Sequence, residues 1–351
     1  MKADIRTVEV IAPNLKRRLS GVTSTIVQLV PAQAARGVRI ATFGPGLPDG
    51  LPKITARDLL SMWRPPAGRR ARIWHARRNT EMMAGLILKS VLRMPLKLVF
   101  TSAAQRHHTR YTRFLIRNMD AVIATSARSG SFLQVPHTVV MHGVDLERFH
   151  PPVGDESDWA RSGLPGRFGI GCFGRIRHQK GTDLFVEAMI RLLPFYPDWT
   201  ATIFGRVTAD NAGFAEQLSA RIARAGLSER IRFMGEVPDV KPWLRRVSVC
   251  VAPSRNEGFG LTPLEAMASL TAVVASDAGA YAELVEEGAT GYVTPAGDGA
   301  ALAEAIERYL ADPALASRHA EAGLARVRAR FALEREAEGV DTVYERVFAA
   351  P

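Results

Sequence analysis

The sequence predicts an α/β protein made of two doubly wound domains, and three observations support this. The chain has 351 residues, which exceeds the usual size of a single hydrophobic core. Short β-type runs alternate with helical patterns from end to end, which is typical of parallel α/β units. Residues 151–166 are rich in Pro, Gly, Asp, Glu and Ser and poor in apolar residues, so they predict a linker.

The predicted strands fall into two series, one on each side of this linker. The first series covers residues 8–12, 38–43, 96–101, 121–125 and 138–141, with helical patterns that include 22–36 and 109–118. The second covers 168–173, 201–204, 231–233, 247–251, 272–275 and 291–294, and helices follow from about residue 300. We therefore expect domains at 1–155 and 166–334, with ligands at the carboxyl ends of the strands.

The positive charge is confined to the first half of the chain. Residues 1–165 hold 25 Lys/Arg and 11 Asp/Glu, a net charge of +14, whereas the remaining residues carry a net charge of −3. Such asymmetry indicates an anionic partner for the first half, which could be a nucleic acid, a membrane surface or a phosphorylated substrate.

The composition predicts an intracellular protein. Four of the first ten residues are charged, which leaves no room for the apolar region of a signal peptide, and no run is long and apolar enough to span a bilayer. Cys172 and Cys250 each lie in an apolar run that reads as a buried strand. We expect core thiols of a reducing compartment rather than a disulfide.

A basic loop at residues 174–181 lies between a predicted strand and a predicted helix. Arg175, Arg177, His178 and Lys180 crowd the helix N-terminus, which already carries partial positive charge. This crowding is unfavourable unless an anion lies in the same place, so the loop predicts a phosphate site. The alternative is a solvated basic turn.

An acidic segment at residues 254–265 follows the strand at 247–251. Residues 262–265 read Thr-Pro-Leu-Glu, which predicts a helix capping box and would give Glu265 a purely structural role. Glu257 has no such explanation, because it precedes a Gly-Phe-Gly turn whose backbone can approach a ligand closely. A carboxylate at this position could accept hydrogen bonds from sugar hydroxyls.

These two segments resemble retaining glycosyltransferase family 4, which has the GT-B fold of two Rossmann-like domains facing a central cleft. Glu257 and Glu265 match the Glu-x7-Glu pattern of that family, and Arg175 and Lys180 match its basic loop. The segments His-Gly-Val-Asp at 142–145 and Ser-Asp-Ala-Gly at 276–279 resemble further family segments in the same order.

The resemblance implies roles for individual residues. Arg175 and Lys180 would bind the donor diphosphate, Glu257 would hold hydroxyls of the transferred sugar, and Glu265 would hold the ribose. Glu257, Lys180 and Arg175 would be the catalytic residues, and a C-terminal helix at about 335–351 would pack back on the first domain. The implied donor-binding residues are Gly21, Gly174, Arg175, Lys180, Glu257, Gly258, Phe259, Gly260, Leu261 and Glu265.

Two departures from the family pattern concern the first domain. Gly21 stands alone after Ser20 where the family usually has a Gly-Gly pair, and Ala103 stands where the family often has a histidine. The departing diphosphate oxygen can still accept the acceptor's proton in a same-face displacement. The candidate acceptor-binding residues are then His75, Arg77, Arg78, His107 and His108.

The segment 57–78 is rich in arginine. It holds seven Arg and two Trp against the single acid Asp58, a composition that fits a surface meeting phosphate headgroups. The same composition could bind RNA, or the segment could be a solvated loop. The following segment, 81–94, is apolar enough to pack in the core or to contact lipid.

Three further segments, 73–79, 100–106 and 141–145, resemble lipopolysaccharide-core α-mannosyltransferases. This resemblance implies GDP-mannose as donor, a Kdo-bearing lipid A precursor as anionic glycolipid acceptor, and a cytoplasmic protein held peripherally on the inner membrane. We expect no cofactor and no metal, because the chain has no Asp-x-Asp signature and no Cys/His cluster with zinc spacing.

Two alternatives stay open at this stage. The donor could be a UDP-sugar, because no residue distinguishes guanine from uracil. The high isoelectric point of about 10.1 is also compatible with a nucleic-acid-binding protein. We expect no nucleic acid, because the basic half of the chain is separate from the half that holds Glu257 and Glu265.

Overall fold

The structure is a computed structural model that describes residues 2–17 and 21–350. The chain divides into two compact units. The first unit comprises Met1–Gly143 together with Leu333–Pro351, and the second comprises Val144–Ala332.

The first unit contains a seven-stranded parallel sheet in the order β3-β2-β1-β4-β5-β6-β7. Its strands are β1 (Val10–Pro13), β2 (Ile40–Phe43), β3 (Lys53–Ile54), β4 (Arg72–Ala76), β5 (Leu96–Ser102), β6 (Ala121–Ala124) and β7 (Thr138–Val139). All five strands predicted for this half are therefore confirmed. The sequence missed β3 and β4.

Strand β4 lies at the centre of the sheet, between β1 and β5. All five of its residues are buried, including Arg72 and His75. Because of these polar residues, the sequence pattern placed the segment in an arginine-rich surface rather than in a buried strand. The structure corrects that interpretation, because both side chains find hydrogen-bond partners inside the unit.

The helices of the first unit are α1 (Gly21–Ala35), α2 (Asn79–Leu86), α3 (Arg110–Arg117), α4 (Ala127–Ser131) and the C-terminal helix α12 (Leu333–Ala349). A 3-10 turn covers Asp58–Ser61, and a π-helical turn at Ile87–Val91 continues α2. Helix α12 belongs to this unit, and Glu336 on it accepts hydrogen bonds from His142 and from the Gly143 N–H.

The second unit contains a six-stranded parallel sheet in the order β10-β9-β8-β11-β12-β13. Its strands are β8 (Phe168–Phe173), β9 (Trp199–Phe204), β10 (Ile231–Gly235), β11 (Val249–Ala252), β12 (Ala272–Ser276) and β13 (Gly291–Thr294). All six predicted strands are present, because each is an apolar run bounded by turn residues, as parallel sheets require.

The helices of the second unit are α5 (Thr182–Leu192), α6 (Ala212–Arg224), α7 (Lys241–Arg246), α8 (Thr262–Ala268), α9 (Tyr281–Leu284), α10 (Gly299–Ala311) and α11 (Pro313–Arg330). Short 3-10 turns cover Trp159–Ser162, His178–Lys180, Leu193–Phe195 and Ala209–Asn211. The core is formed by the buried faces of the sheet and of helices α5, α6, α10 and α11.

No helix in the described part of the chain combines the length and the apolar character that crossing a membrane requires.

Candidate active site

In the second unit, the basic loop and the acidic segment follow adjacent strands. The chain runs from β8 outward to β10 on one side of the sheet and from β11 outward to β13 on the other, so its direction switches between β8 and β11. Residues 174–181 follow β8, and residues 253–261 follow β11. Ligands of doubly wound sheets bind at the carboxyl ends of the strands at such a switch point.

An ion pair joins the two segments. Lys180 Nζ donates a hydrogen bond to Glu257 Oε2 across 77 positions of sequence. Both side chains are only about one-fifth exposed, so water screens the pair incompletely. The Gly258 N–H donates to the other oxygen, Glu257 Oε1, at 3.1 Å. The carboxylate therefore has a fixed position beside the ammonium group.

Two glycines allow the backbone to fold closely around Glu257. Gly260 has a φ of +85°, and a Cβ there would lie 2.2 Å from Tyr281 Cε1 and 2.8 Å from Glu257 Cγ. Gly279 has a φ of +62°, and its Cβ would lie 2.8 Å from the Phe259 carbonyl oxygen. The Tyr281 hydroxyl lies 3.5 Å from Glu257 Oε2. Only glycine fits at these two positions.

The predicted cationic crowding at the helix N-terminus is partly wrong. Arg255 donates two hydrogen bonds of 2.7 Å to Asp183 in the first turn of α5, and a third of 2.8 Å to the His178 carbonyl. Burial alone would raise the pKa of Asp183, but these hydrogen bonds hold it below its ordinary value. Asp183 is thus neutralised by Arg255, whereas Glu257, which lies outside the loop, neutralises Lys180 within it, so counting charges within the loop overestimated the repulsion.

Arg175 differs from Lys180 in having no acidic partner among the described residues. Its side chain is exposed and makes no hydrogen bond or ion pair there. The residue before it, Gly174, has a φ of +139°, and its carbonyl oxygen would lie 1.9 Å from a Cβ at Gly205. Arg175 therefore extends from a closely packed turn as an available cation.

The capping box predicted at Thr262–Glu265 is wrong. Helix α8 begins at Thr262 itself, its N-cap is Leu261, and no side chain caps it. Leu261 already has helical dihedral angles, whereas a capping Ser or Thr needs an extended backbone so that its oxygen can reach the helix.

Glu265 thus lacks the structural role that the sequence assigned to it. Its carboxylate makes no hydrogen bond or ion pair within the described residues. Burial raises the pKa of Glu265 to about 7, although Arg148 and Lys241 act to lower it. A poorly solvated carboxylate without a donor is suited to accept hydrogen bonds from a ligand.

In the first unit, the direction of the chain switches between β1 and β4. Asn14 follows β1, and Arg77 and Arg78 follow β4. Arg78 donates 2.7 Å hydrogen bonds to Asn14 Oδ1 and to the fully buried Glu81, and one of 3.0 Å to Thr23. These contacts give Arg78 a role inside the unit rather than at an acceptor.

Arg77 has no comparable set of partners. Its Nη1 lies 3.4 Å from the His75 carbonyl oxygen, and no acid of the described residues forms an ion pair with it. Burial lowers the pKa of Arg77, although more distant groups such as Tyr344, Glu81 and Glu336 act to raise it. A partly buried guanidinium without an anion at the carboxyl edge of the sheet is suited to bind one.

His75 is fully buried and is not available to an acceptor in this structure. Its Nδ1 lies 2.6 Å from the Tyr344 hydroxyl, and its Nε2 lies 2.7 Å from Thr101 Oγ1. Burial lowers the pKa of His75 well below its ordinary value, so the ring is neutral. This network ties β4, β5 and α12 together.

The other two candidate histidines follow β5. His107 is exposed, and its ring packs edge-on against Phe132. His108 is partly buried, its Nε2 lies 3.5 Å from Ser102 Oγ, and burial lowers its pKa. Gly21 is the first residue of α1, and a Cβ there would meet no atom within 4 Å. Ser20 lies outside the described residues.

The arginine-rich segment is only in part the free cationic surface that the sequence predicted. Arg72 is 1% exposed and donates to the carbonyl oxygens of Ile5, Val8, Met62 and Arg64. Arg69 donates to both Glu9 and Glu345. Because these arginines hold the unit together, arginine content alone overstated the charge available to a partner.

Cys172 and Cys250 are both buried and do not form a disulfide. Burial raises the pKa of Cys172 to about 12, so it is an unreactive core thiol. Within the described residues, no group of three His, Cys, Asp or Glu side chains is placed to hold a metal ion.

The sequence missed three residues that shape this site: Arg255, Asp183 and Tyr281. Arg255 lies inside the acidic segment, and its position two residues before Glu257 was the available signal. The roles of Asp183 and Tyr281 depend on contacts between distant segments, which the sequence pattern does not contain.

Comparison with known proteins identifies the class of this chain. Residues 167–312 match the family model described as glycosyl transferases group 1. The crystal structure of Anabaena Alr3699/HepE in complex with UDP superposes with a TM-score of 0.82 at 20% identity, covering 97% of this chain and 100% of that one. This likeness shows the GT-B fold of glycosyltransferases.

Two curated relatives identify the family more closely. The chain is 67% identical over 341 residues to the lipopolysaccharide core biosynthesis mannosyltransferase LpcC of Rhizobium leguminosarum bv. viciae, covering 97% of both chains. It is 53% identical over 346 residues to the lipopolysaccharide core biosynthesis mannosyltransferase LpsB of Rhizobium meliloti, covering 97% of this chain and 98% of that one. The chain belongs to the family of lipopolysaccharide core biosynthesis mannosyltransferases.

Proposed function

We propose that this glycosyltransferase moves mannose from GDP-mannose to a Kdo-bearing lipid A precursor with retention of the anomeric configuration, and that it needs no metal ion. Mannose and the lipopolysaccharide acceptor are supported by the names of the two relatives that are 67% and 53% identical. GDP and Kdo follow from the sequence resemblance. The chemistry of transfer is supported by the geometry of the second unit.

The observation that carries the proposal is the contact between Lys180 and Glu257 at the switch point of the sheet. A cation and a carboxylate held side by side suit the two halves of a sugar nucleotide. Lys180 binds the diphosphate, and Glu257 accepts hydrogen bonds from hydroxyls of the sugar attached to it.

The remaining donor groups extend this arrangement. Arg175 adds an exposed cation with no acidic partner among the described residues, so it can contact the diphosphate at little cost. Gly258, Phe259, Gly260 and Leu261 bring the backbone close to the donor, Gly174 lies in the turn after β8, and Gly21 begins helix α1. Glu265 accepts hydrogen bonds from the ribose hydroxyls, which would supply the donors that its carboxylate lacks.

In the reaction, the bond between mannose C1 and the diphosphate oxygen breaks, and a bond from C1 to the acceptor oxygen forms on the same face. The departing diphosphate oxygen takes the acceptor's proton, so no separate base is needed. Lys180 and Arg175 stabilise the negative charge that develops on the diphosphate.

On the acceptor side, Arg77 is the best-placed anion-binding residue. It is the guanidinium after β4 that has no acidic partner among the described residues, whereas Arg78 is held by Asn14, Glu81 and Thr23. We assign it the carboxylate of the Kdo group, with His107 and His108 as neighbouring contacts. His75 is left out because it is buried.

Calorimetric titration with GDP, UDP and ADP tests the donor assignment. We expect GDP to bind at least about tenfold more tightly than UDP, a difference of about 1.4 kcal/mol. A preference for UDP would replace GDP-mannose with a UDP-sugar and leave the site assignment in place. Transfer to a Kdo-lipid acceptor and to the same lipid without Kdo then tests the acceptor.

A further inference from the structure

Exposed apolar side chains of the first unit are concentrated in three segments. Seven of the eleven large apolar side chains that are exposed among the described residues lie in 57–64, 87–93 and 110–120. They are Leu60, Trp63, Ile87, Val91, Leu92, Tyr111 and Phe114. Leu60 and Val91 are about 70% exposed.

Two contacts show that these segments are neighbours. The Trp63 Nε1–H donates a 2.7 Å hydrogen bond to the Leu92 carbonyl oxygen, which joins the first segment to the second. Lys89 Nζ donates a 2.6 Å hydrogen bond to Asp120, which joins the second to the third. The three segments are therefore neighbours on the first unit, and we call the exposed residues that they carry the apolar-basic face.

The charge of this face is strongly positive. Its segments hold seven basic residues: Arg57, Arg64, Lys89, Arg93, Arg110, Arg113 and Arg117. Their two acids are both engaged, Asp58 with Thr55 and Asp120 with Lys89. Arg69 forms ion pairs and Arg72 donates to buried carbonyl oxygens, whereas the arginines at 57, 64, 93, 110 and 117 form no ion pair within the described residues.

We infer that the apolar-basic face docks on an anionic phospholipid surface, with Leu60, Trp63 and Val91 inserted among the headgroups and the arginines bound to phosphates. Exposed aliphatic and aromatic side chains surrounded by arginines are the composition of interfacial membrane-binding elements. Tryptophan favours the boundary between headgroups and acyl chains. The inference deepens the proposed function, since a lipid acceptor would be reached at that surface.

This face overlaps the two segments that the sequence indicated, 57–78 and 81–94, and adds helix α3 to them. Most of the face lies in the 3-10 turn at Asp58–Ser61, the π-helical turn at Ile87–Val91 and helix α3, and the buried Arg72 of β4 is not part of it. A protein partner would match the apolar residues equally well. The excess of unpaired arginines favours a surface with a high density of phosphates.

Vesicle sedimentation tests the inference with the full-length protein. Vesicles of phosphatidylcholine with phosphatidylglycerol should carry the protein down, and phosphatidylcholine vesicles should not. About 0.5 M NaCl should release it, because the Debye length then falls to a few ångströms. Quenching by brominated phospholipid should affect Trp63, which is 46% exposed, and Trp63→Phe should remove most of the quenching while sedimentation persists.

Matched double variants separate the apolar and electrostatic contributions. Leu60→Ser with Val91→Ser should lower the partition coefficient at least about tenfold, and Arg110→Gln with Arg117→Gln should lower it several-fold at low salt. The controls Val153→Ser with Phe195→Ser, and Arg191→Gln with Arg224→Gln, change equally exposed residues of the second unit and should bind as the parent does.

GDP binding, measured on the same variants without lipid, distinguishes this inference from the proposed function. Unchanged GDP binding with lost sedimentation supports the docking face. Equal losses in the face variants and the control variants would overturn it, as would sedimentation with neutral vesicles alone. Concentration-dependent self-association that disappears in the Leu60 and Val91 variant, without vesicle binding by the parent, would assign the face to a second copy of the chain instead.

Discussion

Lys180 and Glu257 form an ion pair between the loop after β8 and the loop after β11. The contact links the two segments that the sequence singled out separately. It also changes what a mutation of either residue should do, because each residue neutralises the other in the absence of donor.

Lys180→Ala should weaken GDP binding by at least about tenfold, because a charge-assisted contact contributes roughly 1.5–3 kcal/mol. The melting temperature of the ligand-free protein should fall slightly rather than rise, since the variant leaves Glu257 without its cation. Calorimetric titration and thermal denaturation check the two effects. The control is Arg191→Ala, since Arg191 is exposed on α5 and forms no ion pair in the described part of the chain. GDP affinity equal to that of the parent would exclude Lys180 from the phosphate site.

Arg175→Ala should also weaken GDP binding by a similar factor, but without lowering the melting temperature. Its side chain makes no contact within the described residues, so nothing in the ligand-free protein depends on it. The same two measurements separate it from Lys180→Ala. A loss of stability comparable to that of Lys180→Ala would show that Arg175 has a structural partner and would contradict this account.

Glu257→Gln should reduce turnover far more than it reduces GDP affinity, because free GDP lacks the sugar that Glu257 contacts. Glu265→Gln should reduce GDP affinity more than it reduces turnover, because GDP keeps the ribose that Glu265 contacts. Steady-state kinetics together with GDP titration measure both quantities. If the two variants change turnover and GDP affinity by the same factors, Glu257 and Glu265 do not have separate roles at the sugar and the ribose.

The stability conferred by Glu265 should depend on pH. Its pKa in the folded protein is about 7, against an ordinary value of 4.5, so folding becomes less favourable as pH rises between these values. Glu265→Gln has no carboxylate to ionise, so it does not lose stability over this range. The free energy of unfolding of the variant minus that of the parent should therefore increase by up to about 3 kcal/mol between pH 4 and pH 8. The control is Glu216→Gln, at an exposed position on α6, and denaturation across this pH range is the measurement. A pH-independent difference would contradict the raised pKa.

Gly260→Ala should disrupt the acidic segment. The new Cβ would lie 2.2 Å from a ring atom of Tyr281, and the residue would keep an unfavourable positive φ. Gly226→Ala is a matched control, since Gly226 also has a positive φ but open space around its Cβ position. We expect the control to lose about 1 kcal/mol of stability and keep its turnover, whereas Gly260→Ala should lose turnover as well. Equal effects would show that close packing against Tyr281 is unimportant.

Transfer should persist in EDTA, because Lys180, Arg175 and the backbone at the strand ends supply the charge that a divalent ion would otherwise provide. An assay of the purified protein after chelation checks this, with added Mg²⁺ and Mn²⁺ as separate conditions. An absolute requirement for either ion would overturn the prediction.

The sequence predicted the second sheet completely and the first incompletely, for a physical reason. Strands β8 to β13 are apolar runs, whereas β4 contains Arg72 and His75, whose polar groups are satisfied by carbonyls and hydroxyls from distant segments. A prediction from the pattern of apolar and polar residues assigns such residues to the surface. Only the folded chain shows that Arg72 and His75 have internal partners.

In the candidate site, too, some features follow from the sequence pattern and others depend on contacts between distant segments. Residue types and their order singled out Lys180, Arg175, Glu257 and Glu265 as candidates, because these residues match the motifs of the family that the chain resembles. The neutralisation of Lys180 by Glu257 could not be inferred, since it depends on β8 and β11 being adjacent. The mistaken capping box arose from a local motif, Thr-x-x-Glu, whose first residue lies inside the helix instead of before it.

The most direct test of the central claim is the configuration of the transferred sugar. GDP-mannose labelled with ¹³C at C1 is incubated with the purified protein and a Kdo-bearing lipid acceptor, and the one-bond C1–H1 coupling of the product is measured by NMR. The account predicts an α-mannoside formed by the parent protein and lost in Glu257→Gln. A β-mannoside, or transfer from a UDP-sugar but not from GDP-mannose, would contradict it.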